Sequence, residues 1–175
     1  MGWQQSIFEA IDMRSFSNLW FWIALAVVWS SASHWVLGVP FDMVVRARRQ
    51  GGQAAVDVHD MVRVNVNRVK YIIDVSGPVL VSSSFFLLTG LAILGWYYWV
   101  EFAQAVFLLG FPMSLVAGLN VYTARGILLS DAEGDALYRV LSRHRVIVQS
   151  LGMVAIFVTA LWGMYVNLRA GALGF

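Results

Sequence analysis

The chain contains no cysteine. Disulfides, thiolate metal sites, cysteine-ligated iron–sulfur clusters and cysteine nucleophiles are therefore excluded. Charge is scarce as well: Asp, Glu, Lys and Arg make up 13% of the residues, about half the share of a soluble domain. A formal net charge of +2 creates no field that would draw nucleic acid, so no such partner is expected. There is no G-x-x-x-x-G-K-[ST] phosphate loop. The N-terminus MGWQQSIFEAIDMR lacks the basic n-region and small-residue cleavage site of a secretory signal, so the first apolar segment is expected to be retained. MGWQQS matches the myristoylation pattern, but the topology derived below places this end on the wrong side for it.

What the chain has in excess is apolar surface. Of 175 residues, 59% are hydrophobic, and the mean hydropathy is +0.70. This composition predicts an integral membrane protein. Crossing about 30 Å of hydrocarbon takes roughly 20 apolar residues. Four segments meet that length: Leu19–Leu37, Pro78–Val100, Phe102–Tyr122 and Val146–Leu168. Unbroken apolar runs exclude barrel strands, which alternate over about 10 residues. Only Glu101 separates the second run from the third, which predicts a tight hairpin at one membrane surface.

The basic residues set an orientation. Arg46, Arg48, Arg49, Arg63, Arg68 and Lys70 fall between the first two runs, and Arg125, Arg139, Arg143 and Arg145 between the last two, which is ten of twelve. The positive-inside rule makes segments 39–76 and 123–145 cytoplasmic and both termini periplasmic. Trp3, Trp20, Trp22, Trp96, Tyr97, Tyr98, Trp99, Trp162 and Tyr165 then form an outer aromatic belt. The whole chain reads as one transmembrane domain: an all-α four-helix bundle with cytoplasmic helical extensions.

Outside the runs, Val62, Val64 and Val66 alternate with polar residues as in a strand, whereas Val58, Val62, Val66, Val69 and Ile73 share a helical face. A helix is favoured because a lone strand has no edge to pair with. Gly77-Pro78 is expected to break or redirect it. Ser130–Glu133 fits a capping box that would start a helix near Asp131 and run on into the last span. Ile7–Met13 is expected to form a short amphipathic helix on the outer surface. RARRQGG (Arg46 to Gly52) reads as a basic anchor that meets anionic headgroups.

Charged side chains, costing at least about 2.5–3.5 kcal/mol at a span centre, are nearly absent within the runs. No voltage-sensor row, carboxylate relay or acid–base pair results, and a non-enzyme is expected. His34 and His144 lie at similar depth on different spans, the arrangement that axial ligation of haem b needs. The plainer reading makes each a hydrogen-bonded interfacial residue, with no cofactor. Ser82, Ser83, Ser84, Asn120 and Gln149 are candidates for a polar pathway; hydrogen bonds to their own helix, between helices or to headgroups are the alternative. Gln104 and Asn167 complete the intramembrane polar set.

Small residues at four-residue spacing mark helix-packing stripes: Ala26 and Ser30; Gly110, Ser114 and Gly118; Ala155, Thr159 and Gly163. Pro112 is expected to kink the third span. The expected partners are the lipid bilayer and either further copies of the chain or other membrane subunits. The leading functional expectation is a non-catalytic membrane subunit, with a homo-oligomeric channel or small transporter second and a haem carrier third.

At SFSNLWFWIALAVVWSSASHWVLGVPFD (Ser15 to Asp42), VEFAQAVFLLGFPMSLV (Val100 to Val116) and HRVIVQSLGMVAIFVTALWGM (His144 to Met164), the chain resembles a small alphaproteobacterial family of four-span membrane proteins, often labelled a component of the Suf iron–sulfur assembly complex. The resemblance covers nearly the whole chain and implies placement in a bacterial inner membrane. It brings no activity or site residue with it.

Overall fold

A computed structural model describes residues 15–130 and 132–173. The expected N-terminal amphipathic helix, Trp3 and Asp131 lie outside the described residues. The fold is all-α apart from one minimal hairpin.

A 3-10 turn at Ser15–Ser17 leads into α1, Leu19–His34. Asn18 caps α1 by accepting a hydrogen bond from the Trp20 N–H at 3.0 Å, which satisfies one of the donors that a helix start leaves open. The first apolar run was expected to be helical to Leu37, but α1 ends at His34. There the chain turns back through strands β1 (Trp35–Val36) and β2 (Val39–Pro40), paired antiparallel. Leu37 and Gly38, at φ 50° and 74°, supply the two left-handed residues of a hairpin turn. Leu37 is disfavoured there. Its burial at 5% exposure supplies the compensation.

Helix α2 (Phe41–Gln50) is amphipathic: Val44 and Ala47 are buried, while Arg46, Arg48 and Arg49 are exposed. Gly51 and Gly52, both at positive φ, allow the abrupt turn into α3, Gly52–Ala92. At 1.5 Å per residue, α3 is about 60 Å long, twice a bilayer core. Val58, Val62 and Val66 are buried along one stripe, so the helical reading of this segment holds and the strand reading does not. The expected break at Gly77-Pro78 does not occur: α3 runs through Pro78, which is exposed, and only the hydrogen bond to the Asp74 carbonyl is forgone.

A π-helical turn (Ile93–Tyr97) and the left-handed Trp99 close the sharp connection to α4, Glu101–Ser130. Pro112 leaves α4 unbroken, and Ser114 donates to the Phe111 carbonyl at 2.6 Å beside it. The capping box at Ser130–Glu133 is not formed. Ser130 instead ends α4, its hydroxyl donating to the Gly126 carbonyl at 2.7 Å, and α5 begins at Gly134 and continues to Leu173.

Two cores organise these elements. At the arginine-rich end, the hairpin (Val36, Leu37, Val39), α2 (Val44, Ala47), the valine stripe of α3, Ala124 and Ile127 of α4, and Leu137, Tyr138 and Leu141 of α5 pack together. Nearer the aromatic end, Leu25 and Trp29 of α1, Val116 of α4, and Val148 and Ala155 of α5 form the second. The first core takes in α3, whereas the second draws on α1, α4 and α5. Pro78–Leu87 of α3 are all exposed, and beyond them Leu88 approaches Gly110 of α4. Helices α4 and α5, and α3 with its π turn, are long and apolar enough to cross a membrane; α1, at 16 residues, is shorter.

Candidate functional site

Helices α4 and α5 leave a groove of about 250 Å³ between them at the arginine-rich end. Leu119, Thr123 and Gly126 line it from α4; Arg143, His144 and Ile147 line it from α5. The three- and four-residue spacing puts each set on one helix face. At the floor, Thr123 Oγ1 lies 2.9 Å from His144 Nδ1, both side chains being buried. His144 stands just before the apolar run that begins at Val146, and burial lowers its pKa from the ordinary histidine value because the charged imidazolium is poorly solvated there. It is therefore a neutral imidazole near pH 7. At the rim, Arg143 is exposed and forms no ion pair among the described residues. Gly126 borders the groove and faces open space: a Cβ there would meet nothing within 4 Å.

The next arginine behaves differently. Arg145 points to the other side of α5, its guanidinium 4.0 Å from the centre of the Phe41 ring. Its Nε is shielded from solvent with no acceptor among the described residues, so the aromatic face is the compensating contact. This contact fixes the hairpin and α2 against α5.

The two histidines stand in different surroundings. His34 is exposed at the end of α1 with its ring edge against Trp35, whereas His144 is engaged with Thr123. Among the described residues no cluster of three or more His, Asp or Glu side chains is assembled that would hold a metal ion.

The candidate pathway residues are dispersed. Ser82, Ser83 and Ser84 sit on the exposed stretch of α3, where Ser83 donates to the Val79 and Leu80 carbonyls at 2.8 and 3.2 Å. Ser82 and Ser83 line a shallow depression whose walls all come from α3. Asn120 on α4 and Gln149 on α5 are half-buried.

The packing stripes are divided too. On α5, Ala155, Thr159 and Gly163 are buried, and a Cβ at Gly163 would come within 3.3 Å of Trp22 and 3.2 Å of Phe16. On α1, Ala26 and Ser30 are exposed, and Leu25 and Trp29 make the contact within the chain. The physical reason is that the small residues of α5 accept large ones from α1, with Gly152 against Trp29, so the small residues of α1 turn outward. On α4, Gly110 faces Leu88 and Ser114 is half-buried, while Gly118 is exposed with open space above it.

At the aromatic end Gln104 is almost fully buried. It donates through Nε2 to the Gly95 carbonyl at 2.7 Å and accepts from Trp162 Nε1 at 3.0 Å, tying the α3–α4 turn to α5. Glu101 accepts from the Phe16 N–H at 2.6 Å, Trp22 Nε1 donates to the Phe16 carbonyl at 3.1 Å, and Ser17 donates to Asn167 at 2.8 Å. Sequence reasoning counted Gln104 only among polar residues near a span end. Its partners lie 9 and 58 positions away, and no local spacing reveals them.

Comparisons with protein-family models, with curated proteins and with solved structures find no match to this chain. The class defined by the fold is an all-α protein with, among the described residues, three helices long and apolar enough to cross a membrane.

Proposed function

We propose that this chain is a non-catalytic subunit of a bacterial inner membrane, crossing it four times with both termini periplasmic, and that it packs through α3 against a second copy or a larger membrane complex. One observation carries the reading. Ten consecutive residues of α3, Pro78–Leu87, are all exposed, although the same helix carries buried residues before them and packs against α4 after them. Lipid covers apolar side chains at no cost, so exposure alone does not demand a partner. The serine run in the middle of that stretch is the feature that favours one, because small side chains let helix backbones approach closely. The outward-turned Ala26 and Ser30 offer a further helix face of the same kind.

The absence of cysteine makes the test clean. Ser83→Cys in native membranes is expected to give an oxidant-dependent cross-linked dimer, or a cross-link to another membrane subunit, while Phe157→Cys on the exposed face of α5 gives neither. A protein that runs alone as a monomer in mild detergent and cross-links at neither position removes the proposal.

A channel or small transporter is the second reading, favoured by the same serines. If α3 helices of several copies come together, Ser82 to Ser84 line the shared seam. Ion flux in proteoliposomes, lost in Ser83→Leu, is the expected signature; no flux for any ion eliminates it.

A further inference from the structure

The groove between α4 and α5 is amphiphilic along its length, and its polar end is of one sign. Leu119 and Ile147, at one end, continue into the apolar runs of their helices. Arg143 stands at the other, with no carboxylate in ion-pairing range among the described residues. Tyr122, also lining the groove, is exposed and adds a phenolic donor. Ser130 reaches the same rim but its proton already goes to the Gly126 carbonyl, so it adds no donor. Gly126, which borders the groove, faces open space into which a larger side chain could extend.

We infer that this groove holds one anionic phospholipid of the cytoplasmic leaflet, its phosphate on Arg143 and Tyr122 and an acyl chain along Leu119 and Ile147. Three properties favour a lipid over a soluble anion. The charged side chain of the groove stands at its rim while the polar pair at its floor is already mutually bonded, its apolar end opens toward the bilayer under the proposed topology, and a guanidinium fork matches a phosphate diester. Basic pockets between helices on the cytoplasmic side are where anionic headgroups bind. Thr123 and His144 form the floor. Because His144 is neutral and bonded to Thr123, it adds no charge, and the site's attraction rests on Arg143, with Arg139 one turn before it on α5. The inference rests on the four-span topology for the choice of leaflet but not for the lining of the groove.

The test is native mass spectrometry of the full chain released from nanodiscs of equal phosphatidylglycerol and phosphatidylethanolamine. The wild type is expected to retain one phosphatidylglycerol in preference to the zwitterionic lipid. Arg143→Gln lowers that preference about fivefold, the loss expected for one surface arginine. Gly126→Leu, whose side chain enters open space, abolishes it. Arg49→Gln, in the last turn of α2, leaves it unchanged. Equal preference in wild type, Arg143→Gln and Gly126→Leu overturns the inference. So does displacement of the lipid by millimolar inorganic phosphate, which would mark a free-anion site. Both nanodisc leaflets have the same composition, so failure of the topology leaves this readout intact and is detected separately by cysteine labelling.

Discussion

Gly152 on α5 receives the face of Trp29, and the contact has no slack: a Cβ there would fall 2.7 Å from Trp29 Cε3. Gly152→Ala is expected to destabilise the protein by about 1–3 kcal/mol, the range for overpacking a close contact. Thermal unfolding in detergent reads the loss, and a transition unchanged from wild type would mean that α1 does not seat on α5 in this way. His144 carries the clearest pH dependence. Its folded pKa is lowered, so as the pH falls below the ordinary histidine value the unfolded chain takes up the proton first and stability declines. Above that value the group contributes no pH dependence. Wild type is therefore expected to lose more stability between pH 8 and pH 5 than His144→Gln, and equal losses would contradict the burial. The sequence singled out His144 as polar and near a span end. It held no sign of Thr123 as its partner, because the two lie 21 positions apart on antiparallel helices.

Among elements, the α3–α4 connection is the most tightly specified. A single Glu between two apolar runs predicts a hairpin, and the chain makes one. The hydrogen bonds of Gln104 decide its geometry, since they bind the π-helical turn at Gly95 to Trp162 of α5. Gln104→Leu is expected to leave a buried carbonyl and an indole N–H unpaired, at a cost of about 1–3 kcal/mol each, with a visible shift in tryptophan emission. An unaltered spectrum and transition would show that the turn is held by apolar contact alone. Helix α3 illustrates how periodicity resolves an ambiguity. Val62, Val64 and Val66 alternate as in a strand, yet Val58, Val62 and Val66 are the buried set, because α2, α4 and α5 offer a surface at the helical spacing. The capping box failed for a related reason. Ser130 found an acceptor within its own helix at Gly126, and α4 continued through the position from which it would have capped α5.

At the scale of the molecule, the arginine distribution makes a prediction that cysteine chemistry answers directly. In intact spheroplasts, a membrane-impermeant maleimide is expected to label Tyr98→Cys at the α3–α4 turn but not Gln50→Cys at the end of α2, and to label both after lysis. Labelling of Gln50→Cys in intact cells would invert the proposed orientation. Composition and run length by themselves determined that the chain is helical, apolar enough to cross a membrane, and divided into a basic end and an aromatic end. These properties are sums over residues and need no knowledge of contacts. Tertiary structure alone decided which faces meet. Trp29 seats in the gap at Gly152 and turns Ala26 and Ser30 outward. The hairpin and α2 fold into a core against α3, α4 and α5, and the middle of α3 is left exposed. In an apolar helix every face looks alike in sequence, so the fit of large side chains into small ones, not hydrophobicity, chooses the buried one.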